Sequence, residues 1–200
     1  LLSASGQVQD TVATMAGFGG YKVGAGEDYR DAAPVIIENG HLASNGDGAV
    51  FSSAARWEFR RLDRQAEVDQ IVRMPGRDRT LTSAEIDREK ASMVRPTSSA
   101  EYRSMVNDMT VPALRPAFGD LLLAPNGRVW AAHYQSPRTE NDDPNEWSVF
   151  DESGSVVAQV ATPPRFTVFE VGEGYMLGVR RDDFDVEHVE VLRWTFQDPN

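Results

Sequence analysis

His41, His133 and His188 are the only imidazoles in this 200-residue chain, and it has no cysteine. An imidazole carries a proton near neutral pH or ligates a metal. A metal site on one element needs a second ligand at a spacing such as H-x-x-x-H or H-E-x-x-H, and neither occurs. The three histidines are isolated and read as structural or surface residues. The lack of cysteine excludes a thiolate zinc site, an iron–sulfur cluster, a cysteine nucleophile and a disulfide framework. The densest charge cluster is Arg180-Arg181-Asp182-Asp183-Phe184-Asp185-Val186-Glu187. Its carboxylates could hold Ca²⁺, which takes six to eight oxygens, but the EF-hand order with its glycine and final glutamate is missing. Two arginines beside three aspartates read more simply as a solvated, ion-paired hairpin loop. No G-x-S-x-G, P-loop, dinucleotide fingerprint or zincin motif is present, so no cofactor is expected.

Residues that could hold a ligand fall in three places. Glu140-Asn141-Asp142-Asp143-Pro144-Asn145-Glu146 is an acidic loop between two strand-like runs, which makes Asp142, Asp143 and Glu146 candidates at a rim. Tyr134, just before it, could stack on a sugar or a side chain. The stretch 56–95 holds 10 basic and 8 acidic residues, whereas 140–200 holds 4 basic and 14 acidic. Arg60 and Arg61 lie in the basic part and could meet an anionic partner or glycan. Trp57, Trp130, Trp147 and Trp194 could form a sugar platform. Trp57 and Trp147 keep step with a repeat, however, and repeat-locked aromatics belong to the packing between units.

Those side chains must be carried by strands. Arg128–Tyr134, Glu146–Phe150, Ser155–Val160, Phe166–Val171, Tyr175–Arg180 and His188–Phe196 alternate apolar and polar residues and are bounded by Gly, Asn, Asp or Pro. Thr82-Ser83-Ala84-Glu85 has capping-box spacing, and Ser98-Ser99-Ala100-Glu101 repeats it ahead of Tyr102, Met105, Val106 and Met109 at helical spacing. The spacing predicts helices over 82–94 and 99–109. Gly17, Gly19, Gly20, Gly24 and Gly26 mark a loop. Charged residues are 26% and hydrophobic residues 40% of a chain with net charge −11, which describes a globular protein and argues against nucleic acid as a partner. No run approaches about 18 apolar residues, so no membrane span is expected.

A strand-end motif recurs as Leu2-Ser3-Ala4-Ser5-Gly6-Gln7-Val8, Leu62-Asp63-Arg64-Gln65-Ala66-Glu67-Val68 and Phe150-Asp151-Glu152-Ser153-Gly154-Ser155-Val156. A glycine turn feeding an apolar strand recurs at Asn45–Phe51, Asn126–Trp130 and Glu173–Leu177. From Gly127 to Gly174 is 47 residues, and from Phe150 to Leu192 is 42. A period of about 40–50 residues with four short strands marks a β-propeller blade, in preference to a β-sandwich.

On these residues, and on Pro116–Trp130, Trp147–Asp151 with Gly154, Pro164–Glu170 and Gly178–Val189, the chain resembles bacterial six-bladed β-propeller proteins of the NHL-repeat-like type. His188 falls in a stretch of that resemblance that looks like blade packing. One departure is Ala124, where the family often has Asp. The resemblance implies an all-β fold of about three to four blades of six, with a short two-helix insertion near 82–109. The expected organisation is the end of a blade and a loop at 1–32, a blade at 33–75, the helical insertion at 76–113, a blade at 114–162 and a final blade at 163–200. The start at Leu1-Leu2-Ser3 reads as the end of a strand, so the remaining blades are expected upstream or on a partner chain. The resemblance further implies a non-catalytic binding or scaffolding module of an exported bacterial protein, periplasmic, cell-surface, lipoprotein or secreted, with a protein or glycan ligand at a blade rim or the central channel. The alternative is a propeller enzyme of lactonase, lyase or glycosidase type with a metal-assisted site at that channel.

Overall fold

A computed structural model describes residues 5, 7, 21–23, 30–32, 35–36, 39–74, 76–136 and 143–195. The fold is mostly antiparallel β-sheet with two helices. The first sheet winds through β3 (His41–Ser44), β4 (Ala49–Ser52), β5 (Glu58–Leu62) and β6 (Val68–Arg73). The second winds through β7 (Phe118–Leu123), β8 (Val129–His133), β9 (Asn145–Phe150) and β10 (Val156–Thr162). The third holds β11 (Phe166–Gly172), β12 (Tyr175–Arg181) and β13 (Glu187–Arg193). In each sheet every strand pairs with its successor in the chain.

The glycine-rich stretch read as a loop carries a short ladder, with β1 (Tyr21–Val23) paired to β2 (Arg30–Ala32). Tyr and Val are strand formers, and they outweigh their glycine neighbours here. Most of the Leu2–Val8 repeat lies outside the described residues.

Two helices link the first sheet to the second. In α1 (Ser83–Met93) the Thr82 hydroxyl accepts the Glu85 N–H, and the Glu85 carboxylate accepts the Thr82 N–H at 2.9 Å, which completes the capping box. α2 (Ala100–Asp108) is capped by Ser99, one residue later than its spacing suggested. The reason is that the Ser98 hydroxyl accepts the Arg95 N–H in the preceding turn. Met93, Met105 and Met109 gather with Val35, Ile36 and Tyr134 into a small apolar cluster beside the helices.

The second sheet is buried on both faces. Along β8, Val129 and Ala131 point one way and Trp130 and Ala132 the other, as the two-residue period of a strand requires. Val129 and Ala131 join Leu121, Phe118 and Phe150 against Val50, Phe59 and Val72 of the first sheet. The Phe59 and Phe150 rings meet edge to face at 5.0 Å, an arrangement favoured by the ring quadrupoles. On the opposite face Trp130, Trp147, Val149 and Ala124 pack against Phe166, Val168, Val171 and Met176 of the third sheet. The order is therefore sheet on sheet on sheet, with all four β8 residues from Val129 to Ala132 buried.

Polar ties fix the first interface. The Arg61 guanidinium donates to the carbonyls of Asp151 (3.1 Å) and Gly127, and the Asn45 amide donates to the Ala124 carbonyl at 3.0 Å. Gly154 has φ +81°, and a Cβ there would stand 2.7 Å from Val72 Cγ2. Glycine thus lets the β9–β10 turn both form and sit against β6.

Trp130 is 1% exposed. Replacing it with alanine removes a ring between two sheets and should cost about 3–5 kcal/mol. A denaturant midpoint equal to that of the wild type would show that the interface closes without the ring.

Candidate functional site

The first strands of the three sheets come together, with β7 next to both β3 and β11. Between them opens a cleft of about 430 Å³, lined by Leu42–Asn45 of β3 and its turn, Asp120–Leu123 and Pro125 of β7 and its turn, and Phe169–Val171 of β11. Each sheet contributes the C-terminal half of its first strand, so the three sheets are aligned end to end at this point.

The cleft has apolar walls and a few placed polar groups, the usual make-up of a ligand site. Leu42 and Phe169, 62% and 60% exposed, are bare apolar groups among its lining. Its charged side chains are Asp120 and Glu170. Asp120 accepts the Leu121 N–H at 2.8 Å and lies 3.7 Å from His41 Nδ1. Glu170 accepts the Tyr175 hydroxyl at 2.5 Å. No basic side chain lines the cleft, and the two carboxylates give it a negative field. A register shift in β11 between Val168 and Glu170 helps turn Phe169 outward while Val168 and Val171 stay in the core.

A second polar cluster lies at the other end of the sheets. The Glu146 carboxylate takes a hydrogen bond from Arg77 Nη1 at 2.5 Å and stands 3.2 Å from His133 Nδ1, off the line of a hydrogen bond. His133 Nε2 is 2.9 Å from Ser148 Oγ, and the Gln159 amide donates to the same oxygen at 3.1 Å. The His133 ring meets Trp57 edge to face, and Trp57 Nε1 donates to the Arg77 carbonyl. Serine, imidazole and carboxylate follow one another as in a hydrolase relay. Ser148 is only 1% exposed, however, and no substrate carbonyl could reach its oxygen. The arrangement is a tie between the first and second sheets.

The residues singled out from the sequence are spread across the molecule. Asp142 lies outside the described residues. Asp143 is exposed in the β8–β9 connection, and Tyr134 is half-buried in the small apolar cluster beside the helices. Glu146 is committed to Arg77 and His133. Arg61 is spent on the carbonyls that join two sheets. Arg60 sits on the outer face of the first sheet, 5.8 Å from the Phe51 ring centroid and bonded to Glu58. Neither Arg60 nor Arg61 reaches the cleft. Asp120 and Glu170, which do, were not singled out; each looks like an ordinary polar position of an alternating strand.

The charge cluster 180–187 is taken up in pairs. Arg165 faces Asp183 and Asp185, Arg181 faces Glu187, and His188 faces Asp182. Among the described residues no group of three or more His, Asp or Glu is placed to hold a metal ion. No described helix is long and apolar enough to cross a membrane. No protein-family model matches the chain, and a search of curated proteins finds no significant similarity.

Burial, with the Arg77 charge, holds the His133 imidazole below its ordinary value of 6.5 against the opposing pull of Glu146. The Arg77 hydrogen bond likewise holds the Glu146 carboxyl below its ordinary range. Below about pH 6.5 the unfolded chain takes up a proton at His133 that the folded chain refuses, so stability falls as pH drops until the folded ring itself protonates. Glu146 adds its loss at lower pH, as its folded carboxylate is protonated. A His133→Gln variant should show a flatter dependence of the denaturant midpoint between about pH 7 and pH 5. Parallel profiles for variant and wild type would show that the ring titrates as it does in water.

Proposed function

We propose that the chain is part of a β-propeller and acts as a binding or scaffolding module, with its ligand seated in the cleft between the first strands. Three features support the propeller: consecutive meanders, a middle sheet covered on both faces, and first strands drawn together. In such an arrangement the cleft opens into the central channel, and further blades on the same polypeptide or a partner chain complete the ring. The bacterial, exported setting belongs to the same proposal and rests on the sequence resemblance.

The observation that carries the binding reading is the lining of the cleft. Two carboxylates, Asp120 beside the His41 imidazole at 3.7 Å and Glu170 beside the Tyr175 hydroxyl, set among leucines, a valine and an outward phenylalanine with no Lys or Arg in the lining, suit a cationic group on an apolar carrier. An aliphatic amine or an arginine-bearing peptide segment has that chemistry. A neutral glycan gains little from the two charges. The alternative of a metal-assisted enzyme would need three or more ligands converging at the cleft, where the described residues supply Asp120 and Glu170.

Calorimetric titration with alkylamines, arginine-containing peptides and neutral oligosaccharides tests this. The cationic probes should bind and the oligosaccharides should not. Asp120→Asn and Glu170→Gln should each weaken binding about tenfold, the loss of one charge-assisted contact. Equal affinity in both variants, or preference for neutral sugars, would remove the cleft from the proposal.

A further inference from the structure

One five-residue turn is built three times with the same bonds. After β5, Asp63 Oδ1 accepts the N–H groups of Gln65 and Glu67, both at 2.9 Å. After β9, Asp151 Oδ1 accepts those of Ser153 (2.9 Å) and Ser155 (3.0 Å). After β12, Asp182 Oδ1 accepts those of Phe184 (2.9 Å) and Val186 (3.0 Å). Each aspartate also exchanges backbone bonds with the third and fourth residues beyond it, at 3.0–3.1 Å. The residue three beyond the aspartate has positive φ in every copy: 63° at Ala66, 81° at Gly154 and 62° at Asp185.

The three copies serve as controls for one another. The position two beyond the aspartate is Gln65, Ser153 and Phe184, exposed each time. All three copies use the backbone N–H there, and only Ser153 adds a side-chain bond, its hydroxyl donating to Asp151 Oδ1 at 2.6 Å, so the turn's geometry sets no requirement for a ring. Phe184 is nonetheless 87% exposed, the barest large apolar side chain among the described residues. The backbone turn that carries it is tied by its neighbours. His188 Nε2 lies 2.9 Å from Asp182 Oδ2, and Arg165 reaches both Asp183 and Asp185 at 3.4 Å. An aromatic ring carried on a tied turn costs little backbone freedom on docking, which is what an interface anchor needs.

The surroundings indicate the partner. Asp183 has a 99% exposed side chain and Asp185 a 74% exposed one; they stand on either side of Phe184 along the chain and share the single charge of Arg165, which leaves the turn net negative. Val186, 51% exposed, extends the apolar tip. We infer that the β12–β13 turn is a docking knob whose Phe184 ring enters an apolar pocket rimmed by lysine or arginine on a partner protein. The flanking carboxylates match such a rim and are repelled by an anionic membrane surface. The turn stands at the end of its sheet opposite the cleft, so this inference does not rest on the binding reading given above.

Site-specific photocrosslinking in the full-length protein in its host tests the knob. A benzophenone amino acid replaces Phe184 and, as controls, Gln65 and Ser153. Position 184 should give one intermolecular adduct, mapped to a pocket with Lys or Arg at its rim, and the controls none. Asp183→Lys with Asp185→Lys, or raised salt, should lower the adduct yield about tenfold. Phe184→Ser should not lower the thermal midpoint, since the turn keeps its backbone bonds and serine can add the hydroxyl bond that Ser153 makes to Asp151. An adduct within the same polypeptide, an adduct indifferent to charge reversal, no adduct, or a lowered midpoint for Phe184→Ser would each overturn the assignment.

Discussion

The middle sheet has to be apolar on both sides, and the rest of the molecule follows from that constraint. A strand alternates its side chains between faces, so a sheet with water on one face can alternate in chemistry as well. β8 has no such freedom: Val129, Trp130, Ala131 and Ala132 are all buried, two toward each neighbour. The small residues leave room for large ones from across the gap, Phe59 and Phe150 on one side and Trp147 and Phe166 on the other. Removing either neighbour would expose about half of this set to water at about 25 cal/mol for each Å².

The outer sheets are one-sided, and they show it. The first turns Leu42 and Ile71 outward and the third turns Val189 and Val191 outward, all of them exposed. Polar contacts at the edges set how the layers lie. Arg61 and Asn45 fix turns of the second sheet to the first, and the Trp57–His133–Glu146–Arg77 group holds the opposite end. Charged side chains here act as positioning ties, because backbone carbonyls at turn ends are otherwise left without donors.

Much of this architecture was legible from residue order. Alternation located the strands from Val129 onward to within a residue or two, except that the last run, expected to reach Phe196, ends at Arg193, and the hydroxyl–x–x–glutamate spacing located α1 with its full capping box. Ser98 and Ser99 were not separable, because which hydroxyl caps α2 depends on a bond to Arg95 in the preceding turn. The third Asp turn was missed for a physical reason. Its left-handed position holds Asp185 where the other two turns have Ala66 and Gly154, and aspartate tolerates that conformation. The cleft was illegible. Asp120 and Glu170 sit on different sheets, and only the convergence of first strands brings them to one opening. The same holds for Arg77 and Glu146, which are 69 residues apart. Arg61 looked like a free cation because nothing in its neighbourhood along the chain announces two distant carbonyls.

The order of the strands also bears on how the polypeptide is made. Every ladder within the three main sheets joins neighbours in sequence, so each can zip as it emerges from the ribosome without waiting for distant partners. What each new sheet lacks on emergence is a cover, and the next stretch of chain provides one. Such a topology permits vectorial growth, in which each new layer covers the face the one before it left bare. The helical hairpin between the first and second sheets sets the longest interval in which an uncovered face must survive.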